Sequence, residues 1–352
     1  MADTPATKTQ LDDTAKKILA NIDRPRERDV VERRFGLTGT KETLEQVGES
    51  LGITRERVRQ IEKATLIRAK ISLDGGKNPE FTAAEMEIIK ALHELGRAAR
   101  VDVLAEKLMG DASVKSRAAV TLLASLSDKM VATTENDRYF PSVVLTDKKD
   151  DHDIKLDIDK VVAALQKHGQ PVTLDELHKL VGGYEHPDEV AAIASLSKLI
   201  AHLNGHWGLA KWPTVNPRNI RDKIYVVLVQ TKKPMHFGEI AEAVKAEKFR
   251  RNNVTEQAIH NELIKDDRFV LIGRGIYALS EWGYKKGSIT DVIEDILKKE
   301  SPLHREEIVR RVLKVRQVRE ATILLNLQNK PQFKRVAKAQ YAYAAPDKIG
   351  EK

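Results

Sequence analysis

The 352-residue chain has no cysteine. That excludes disulfides, thiolate zinc sites and cysteine nucleophiles together, and it fits a reducing compartment. Aromatic residues are scarce, at 5% with three Trp, seven Tyr and seven Phe, against 41% hydrophobic and 32% charged. Small helical cores of Leu, Ile, Val and Ala suit this balance better than one large aromatic core. No run of about 18 apolar residues occurs, so no membrane span is expected. Met1 to Gln10 is polar without an apolar centre, unlike a secretory signal. The expected location is the cytoplasm, in association with the nucleoid. No P-loop and no Gly-x-Ser-x-Gly elbow is present. No nuclease-type Asp…Glu-x-Lys set assembles either, because most acidic residues share helix faces with basic ones. The expectation is a non-enzyme without cofactor or metal.

What is abundant is positive charge, unevenly spread. The chain carries 60 Lys and Arg against 52 Asp and Glu, a net of +8 and a pI near 9.3. Residues 212–352 hold 28 basic and 18 acidic groups, whereas residues 1–211 hold 32 and 34. The C-terminal part is therefore the better candidate for a broad electrostatic contact with a polyanion.

Breaker-rich stretches cut the chain into pieces. Asp74-Gly75-Gly76-Lys77-Asn78-Pro79, the charged run Asp147 to Asp153, Trp212-Pro213 to Asn216-Pro217, and Gly283 to Gly287 read as boundaries. The last two pieces repeat each other. Pro234-Met235-His236 matches Pro302-Leu303-His304, Glu239-Ile240 matches Glu307-Ile308, and Val254, Leu263, Phe269 and Tyr277 match Val318, Leu327, Phe333 and Tyr341. Residues 155–212 carry a fainter copy in Pro171, Glu176 and Leu177. Each repeat opens with a helix, as at Ile224-Val227-Leu228. Helices over Phe237–Ala246 and Val254 to about Lys265 follow. A hairpin closes it, with strands Phe269-Val270-Leu271-Ile272 and Ile276-Tyr277-Ala278-Leu279 around Gly273-Arg274-Gly275. Residues 81–146 end similarly, in Lys129 to Ala132, a turn at Glu135-Asn136-Asp137, and Arg138-Tyr139-Phe140.

The expected fold is mainly α: a helix-turn-helix module followed by tandem winged-helix domains, each of three helices plus a β-hairpin. The expected layout is a disordered tail over 1–10, the helix-turn-helix over 11–72 and a linker over 73–80. Winged-helix-like domains follow over 81–147 and, after a linker at 148–154, over 155–214. Two further winged helices over 217–283 and 287–346 precede a tail at 347–352.

The strongest local pattern is Thr43 to Lys70. Leu44, Val47 and Leu51 line one face of a short helix that starts at Thr43. Gly52-Ile53 turns the chain, and Thr54 is a good N-cap for a second helix reaching about Lys70. That helix turns Val58, Ile61 and Leu66 inward. It presents Arg55, Glu56, Arg59 and Gln60 outward, at positions that share a face near the helix start. A major-groove reader needs this arrangement, because the first turns of its second helix meet the base edges. Arg can bond guanine bidentately, Gln adenine, and Glu can accept from cytosine. Arg57 and the helix N-terminus can hold phosphates. With Thr43 and Thr54 these residues form the main DNA-binding set. Arg310, Arg311 and Arg316, in a basic stretch with Lys314 and Arg319, are added as backbone contacts. Arg250-Arg251-Asn252-Asn253 is a further phosphate-binding candidate. His236 and His304 lack companion ligands and read as loop or cap residues. Trp207, Trp212 and Trp282 read as packing residues.

Leu44 to Gly48 and Thr54 to Glu62, with Pro25-Arg26-Glu27-Arg28-Asp29-Val30-Val31 and Arg34-Phe35-Gly36-Leu37 upstream, resemble region 4 of primary-type bacterial sigma factors over residues 17–70. Lys63-Ala64-Thr65 departs from the usual Ala-Lys-Ala run. The resemblance implies that the helix reads the upstream promoter hexamer of double-stranded DNA. It also implies that the region packs on the β flap of RNA polymerase core. No aromatic-rich basic helix of the promoter-melting kind is seen, so the chain is not expected to open promoters alone. The repeats at 218–283 and 287–346 resemble HARE-HTH domains, which include the N-terminal domain of the polymerase δ subunit. The resembling residues are Pro234-Met235-His236, Glu239-Ile240, Arg268-Phe269-Val270 and Gly273 to Leu279. The second copy has Ala337-Lys338-Ala339-Gln340 in place of the glycine-bearing tip, so its wing is expected to be altered. Together these imply a bacterial transcription factor that contacts promoter-like DNA and polymerase. The alternatives are a δ-like polymerase accessory protein and a basic architectural chromosome protein.

Overall fold

The computed structural model describes residues 4–73, 78–146, 149–247, 249, 254–284 and 287–344, with side chains from Gln10 onward. The chain divides into two compact units, Met1–Lys211 and Trp212–Lys352. The tail at 347–352, Met1 to Asp3 and linker residues 74–77 lie outside the described residues.

The first unit opens with α1 (Thr4–Ala20), α2 (Pro25–Phe35), α3 (Leu44–Leu51) and α4 (Arg55–Leu73). Helix α1 thus begins inside the stretch expected to be a disordered tail. It does not belong to the helix-turn-helix either. Its buried face, Leu11, Ala15, Ile18 and Leu19, lies in one core with Ile88, Leu104, Leu122 and Leu123 from further along the chain. The helix-turn-helix proper has a core of three fully buried valines, Val30, Val47 and Val58, edged by Leu44, Leu51, Ile53 and Ile61. Each buried valine contributes roughly 1.5–3 kcal/mol, too little for a stable domain after the entropy of ordering its chain. Helix α4 supplies the missing support. Its second half carries Leu66, Ala69 and Leu73 into the larger core, and Lys70 donates to the Ser127 carbonyl at 3.1 Å and pairs with Asp128 at 2.6 Å. The expected boundary near residue 72 therefore separates parts that share a hydrophobic core.

The core is completed by α5 (Pro79–Glu94), β1 (Ala98–Arg100), α6 (Val101–Met109), α7 (Val114–Ser125), β2 (Met130–Thr133) and β3 (Ser142–Leu145). The sheet order is β1-β3-β2, all antiparallel. The second hairpin strand was expected at Arg138-Tyr139-Phe140, but it begins at Ser142. Tyr139 is instead buried and bridges Ser197. The Phe140 amide donates to Leu196 O at 2.9 Å, and the Lys198 amide to Arg138 O at 2.8 Å. An alternating apolar stretch serves a neighbouring module as readily as its own sheet, and the pattern alone does not tell the two apart.

The neighbouring module comprises α8 (Asp151–His168), β4 (Val172–Thr173), α9 (Leu174–Val181), α10 (Pro187–Ser195), β5 (Ile200–Leu203) and β6 (His206–Leu209), with sheet order β4-β6-β5. Part of the charged run read as a linker is the start of α8. The Asp150 carboxylate accepts from the Asp153 amide, and Asp153 accepts from the Asp150 amide, which closes a capping box. Acidic residues suit a helix N-terminus because they face the exposed amides and the positive end of the dipole. Residues 147 and 148 lie outside the described residues.

The second unit holds two copies of the same order. The first runs α11 (Ile220–Thr231), β7 (Met235–His236), α12 (Phe237–Ala246), α13 (Glu256–Lys265), β8 (Phe269–Gly273) and β9 (Ile276–Leu279). The second runs α14 (Ile289–Lys299), β10 (Leu303–His304), α15 (Arg305–Val315), α16 (Glu320–Asn329), β11 (Phe333–Ala337) and β12 (Gln340–Tyr343). Each copy has three helices and a three-stranded antiparallel sheet, in orders β7-β9-β8 and β10-β12-β11. The short strand after the first helix is an addition to the expected three helices plus hairpin. At two residues it is too short to leave a periodic pattern, and it exists only through pairing, as Met235 with Tyr277 and Leu303 with Tyr341. His236 and His304 cap the following helices, Nδ1 accepting from the amides of Gly238 at 3.2 Å and Glu306 at 3.5 Å.

The altered tip in the second copy keeps its backbone shape. Gly275 and Ala339 take φ +68° and +58°, and both hairpins shift register at the matching place, Leu271/Gly273 and Arg335/Ala337. Gly275 also needs its lack of a side chain, since a Cβ there would lie 2.6 Å from His236 Nε2.

Candidate nucleic-acid interface

Local sequence sets the frame of the site. Thr43 closes a capping box with Gln46 at the start of α3, and Gly52 ends that helix at φ +64°. Thr54 Oγ1 accepts from the Arg57 amide at 3.2 Å and so caps α4. Val58 is fully buried against Val30 and Val47. With Val58 inward, the first two turns of α4 present Arg55, Glu56, Arg57, Arg59 and Gln60 to solvent, and all five are exposed. The recognition set read from the sequence is therefore assembled on one accessible surface, with Thr43 and Thr54 at the adjoining helix starts. Arg34 holds α2 to the rest, its guanidinium donating to Glu42 O at 2.6 Å and Glu62 Oε2 at 2.8 Å.

The exposed side chains are linked to one another. Arg55 pairs with Glu45 at 3.0 Å and Arg59 with Glu56 at 2.6 Å. Gln60 donates to Glu56 at 3.4 Å and accepts from Arg57 at 3.3 Å. The hydrogen bond from Arg59 holds the Glu56 carboxyl below its usual range, and Glu56 in turn raises Arg59. Both groups are charged at neutral pH. Such solvent-exposed pairs contribute only about 0–1 kcal/mol. A base edge or phosphate can displace them at little cost, while in the free protein they preset the side-chain directions.

Residues 24–68 match the family Sigma-70, region 4. The match begins one residue before α2, ends inside α4, and encloses the three-valine core. RNA polymerase sigma factor SigA of Nostoc sp. is 44% identical over 61 residues, which are 17% of this chain and 15% of that protein. The chloroplastic RNA polymerase sigma factor sigF of Arabidopsis thaliana is 40% identical over 57 residues, 16% of this chain and 10% of that one. SigA1 of Synechococcus elongatus is 54% identical over 43 residues, 12% of this chain and 11% of that one. The chain thus spans only about a tenth to a seventh of the length of these relatives. The segment matched by the family, residues 24–68, is a region 4-type helix-turn-helix.

The C-terminal candidates fare differently. Arg310 and Arg311 are on the surface of α15, each paired with Glu307 at 2.6 Å, and Arg311 also with Glu300 at 2.7 Å. The two guanidinium groups depress the Glu307 carboxyl to about 2. Much of this patch's positive charge is consequently balanced in place. Arg316 is not a surface contact at all. It is 4% exposed, and its guanidinium donates to Leu271 O at 3.3 Å and Gly287 O at 2.8 Å. With the Gln317 amide bonded to Ile272 O at 2.9 Å, it fastens the second copy to the edge strand of the first. Residue spacing cannot distinguish a basic residue facing solvent from one clamping two carbonyls. Arg250 to Asn253 lie outside the described residues. Trp207 stacks on His202 at 4.7 Å and Trp282 packs on Val270, Ile272 and Ala278, as packing residues.

Among the described residues, no helix is long and apolar enough to cross a membrane.

Proposed function

We propose that this protein is a non-enzymatic transcription factor of bacterial type, acting in the cytoplasm at the nucleoid. Its α4 reads an upstream promoter hexamer, and its region 4-type module contacts RNA polymerase core at the β flap. One observation carries the reading. Arg55, Glu56, Arg59 and Gln60 share an exposed face on the first turns of a braced helix, inside the segment matching region 4. Bidentate Arg and Gln contacts to bases contribute about 1–3 kcal/mol of discrimination each. The test is binding of the full chain to a duplex carrying the hexamer and to a scrambled duplex at one salt concentration. Tighter binding to the first, flattened by Arg55→Ala or Gln60→Ala, supports the reading; equal affinity for both rejects it.

The four modules after α4 are read as winged helices, the two in the second unit of HARE-HTH type. The repeated order of helix, strand, two helices and hairpin supports this. In the first unit, burial favours protein contact or scaffolding over DNA reading by the third helices. Helix α7 buries Ser116, Ala118, Ala119, Val120, Leu122, Leu123 and Ala124, and α10 buries Val190, Ala192, Ile193 and Ala194. Co-purification of the full chain with polymerase core tests the polymerase contact. Removing residues 1–72 would not be a clean control, because it strips α1 from the core it helps to build.

A further inference from the structure

The arginines of the recognition face all have internal partners, but two lysines beside it have none. Lys41 and Lys115 are exposed, and among the described residues neither side chain makes an ion pair or hydrogen bond. They come from different modules. Lys41 lies in the loop between α2 and α3, two residues before the Thr43 cap. Lys115 stands in the first turn of α7, beyond the region 4-type segment.

Tight packing brings the two elements together. Gly36, at φ +86°, is buried where a Cβ would meet Val114 Cγ1 at 3.0 Å and Lys41 Cβ at 3.1 Å. At Gly39 a Cβ would meet Lys115 Cε at 3.3 Å. The start of α7 thus lies on the loop that leads into α3, and the Lys115 stem covers Gly39. The neighbouring carboxylates are already engaged. Glu42 lies 3.8 Å from Arg33, and Asp111 accepts from the Ser113 amide and from Ser116 Oγ at 2.6 Å. The loop is continuous with the recognition face, since Thr43 starts α3 and Glu45 on α3 pairs with Arg55 on α4.

In a docked helix-turn-helix the first helix crosses the phosphate backbone while the second enters the groove. Here the first helix is α3, and the strand crossing its start passes the loop bearing Lys41. We propose that Lys41 and Lys115 together clamp the phosphodiester backbone of double-stranded DNA beside the hexamer. The 81–146 module then takes a direct part in DNA binding. The inference rests on the DNA-binding reading above and adds a site to it. Unpaired lysines suit the task, because they release counterions on binding without first breaking an internal pair. They read no sequence, so they strengthen binding to any duplex alike.

The experiment uses the full chain, the hexamer duplex and the scrambled duplex, with affinity measured by fluorescence anisotropy across a salt series. Lys115→Gln and Lys41→Gln should each weaken binding to both duplexes by the same factor. Each should also reduce the slope of log affinity against log salt by about 0.9, one phosphate contact. Lys115→Arg should retain the slope, which separates lost charge from disturbed packing. Unchanged slopes in both Gln variants would overturn the clamp even if the hexamer preference persists. Reduced slopes with no hexamer preference in the wild type would keep the clamp and reject sequence reading by α4. No binding to either duplex would reject both.

Discussion

Gly48→Ala should loosen the helix-turn-helix, against the usual effect of that change in a helix. Inside an ordinary helix, replacing Gly by Ala gains roughly 0.5–1 kcal/mol from reduced backbone entropy. Gly48 lies within α3, but a Cβ there would stand 2.7 Å from the backbone O of Ile53, with Arg55 N at 3.5 Å. Ordinary contact begins at 3.4 Å, so the turn must retreat by about 0.7 Å. The obstacle is backbone, which cannot swing aside as a side chain would. Overpacking of this kind costs typically about 1–3 kcal/mol, which against that gain leaves a net loss of up to about 2.5 kcal/mol, centred near 1 kcal/mol, at the entry to α4. Native-state hydrogen exchange on the full chain reads this locally. The Val58 amide, bonded to Thr54 O at 3.1 Å, should exchange faster by about one order of magnitude, and hexamer preference should fall with it. Gly52→Ala is the companion test. It has open space around its Cβ position and φ +64°, so it should lose about 1–2 kcal/mol from backbone strain alone. Slower exchange at Val58 in Gly48→Ala would refute the close-approach argument.

Other consequences are measurable in the second unit. Arg316→Gln should destabilise that unit by about 3 kcal/mol in urea unfolding, because two backbone carbonyls lose a charged donor; it should leave the salt dependence of DNA binding unchanged, and a reduced slope would restore Arg316 as a DNA contact. Ala339→Gly should raise stability by about 0.5–1 kcal/mol through relief of the left-handed backbone, seen as a higher thermal midpoint; a lower midpoint would contradict it. Glu307 has its folded-state pKa lowered to about 2 by hydrogen bonds from Arg310 and Arg311. Its contribution is therefore fully present above pH about 4.5 and is lost as pH falls toward 2. The difference in thermal midpoint between wild type and Glu307→Gln should shrink across that window, and a constant difference would exclude the pairing.

Local chemistry was legible in the sequence wherever a short segment determines its own conformation. The cap at Thr54, the turn at Gly52, the inward period of Val58 and Ile61, the helix at Phe237–Ala246 and the tip around Gly275 all stand where their residue types put them. The exposed polar face of α4 followed from the same periodicity, because a helix whose Val58 faces inward must turn Arg55, Arg59 and Gln60 outward. Tertiary structure decided what those segments are packed against. Helix α1 joined a core built some 80 residues later, Tyr139 left its own hairpin for Ser197, and Arg316 turned from solvent to two carbonyls. Lys115 came to lie on the loop before α3. In each case the partner is distant in the chain, and burial or exposure depends on which surfaces meet rather than on the residue or its immediate neighbours. An apolar face specifies that it will be covered, not by what. A basic side chain specifies a charge, and only the fold determines whether that charge is spent on a carbonyl, a carboxylate or a ligand.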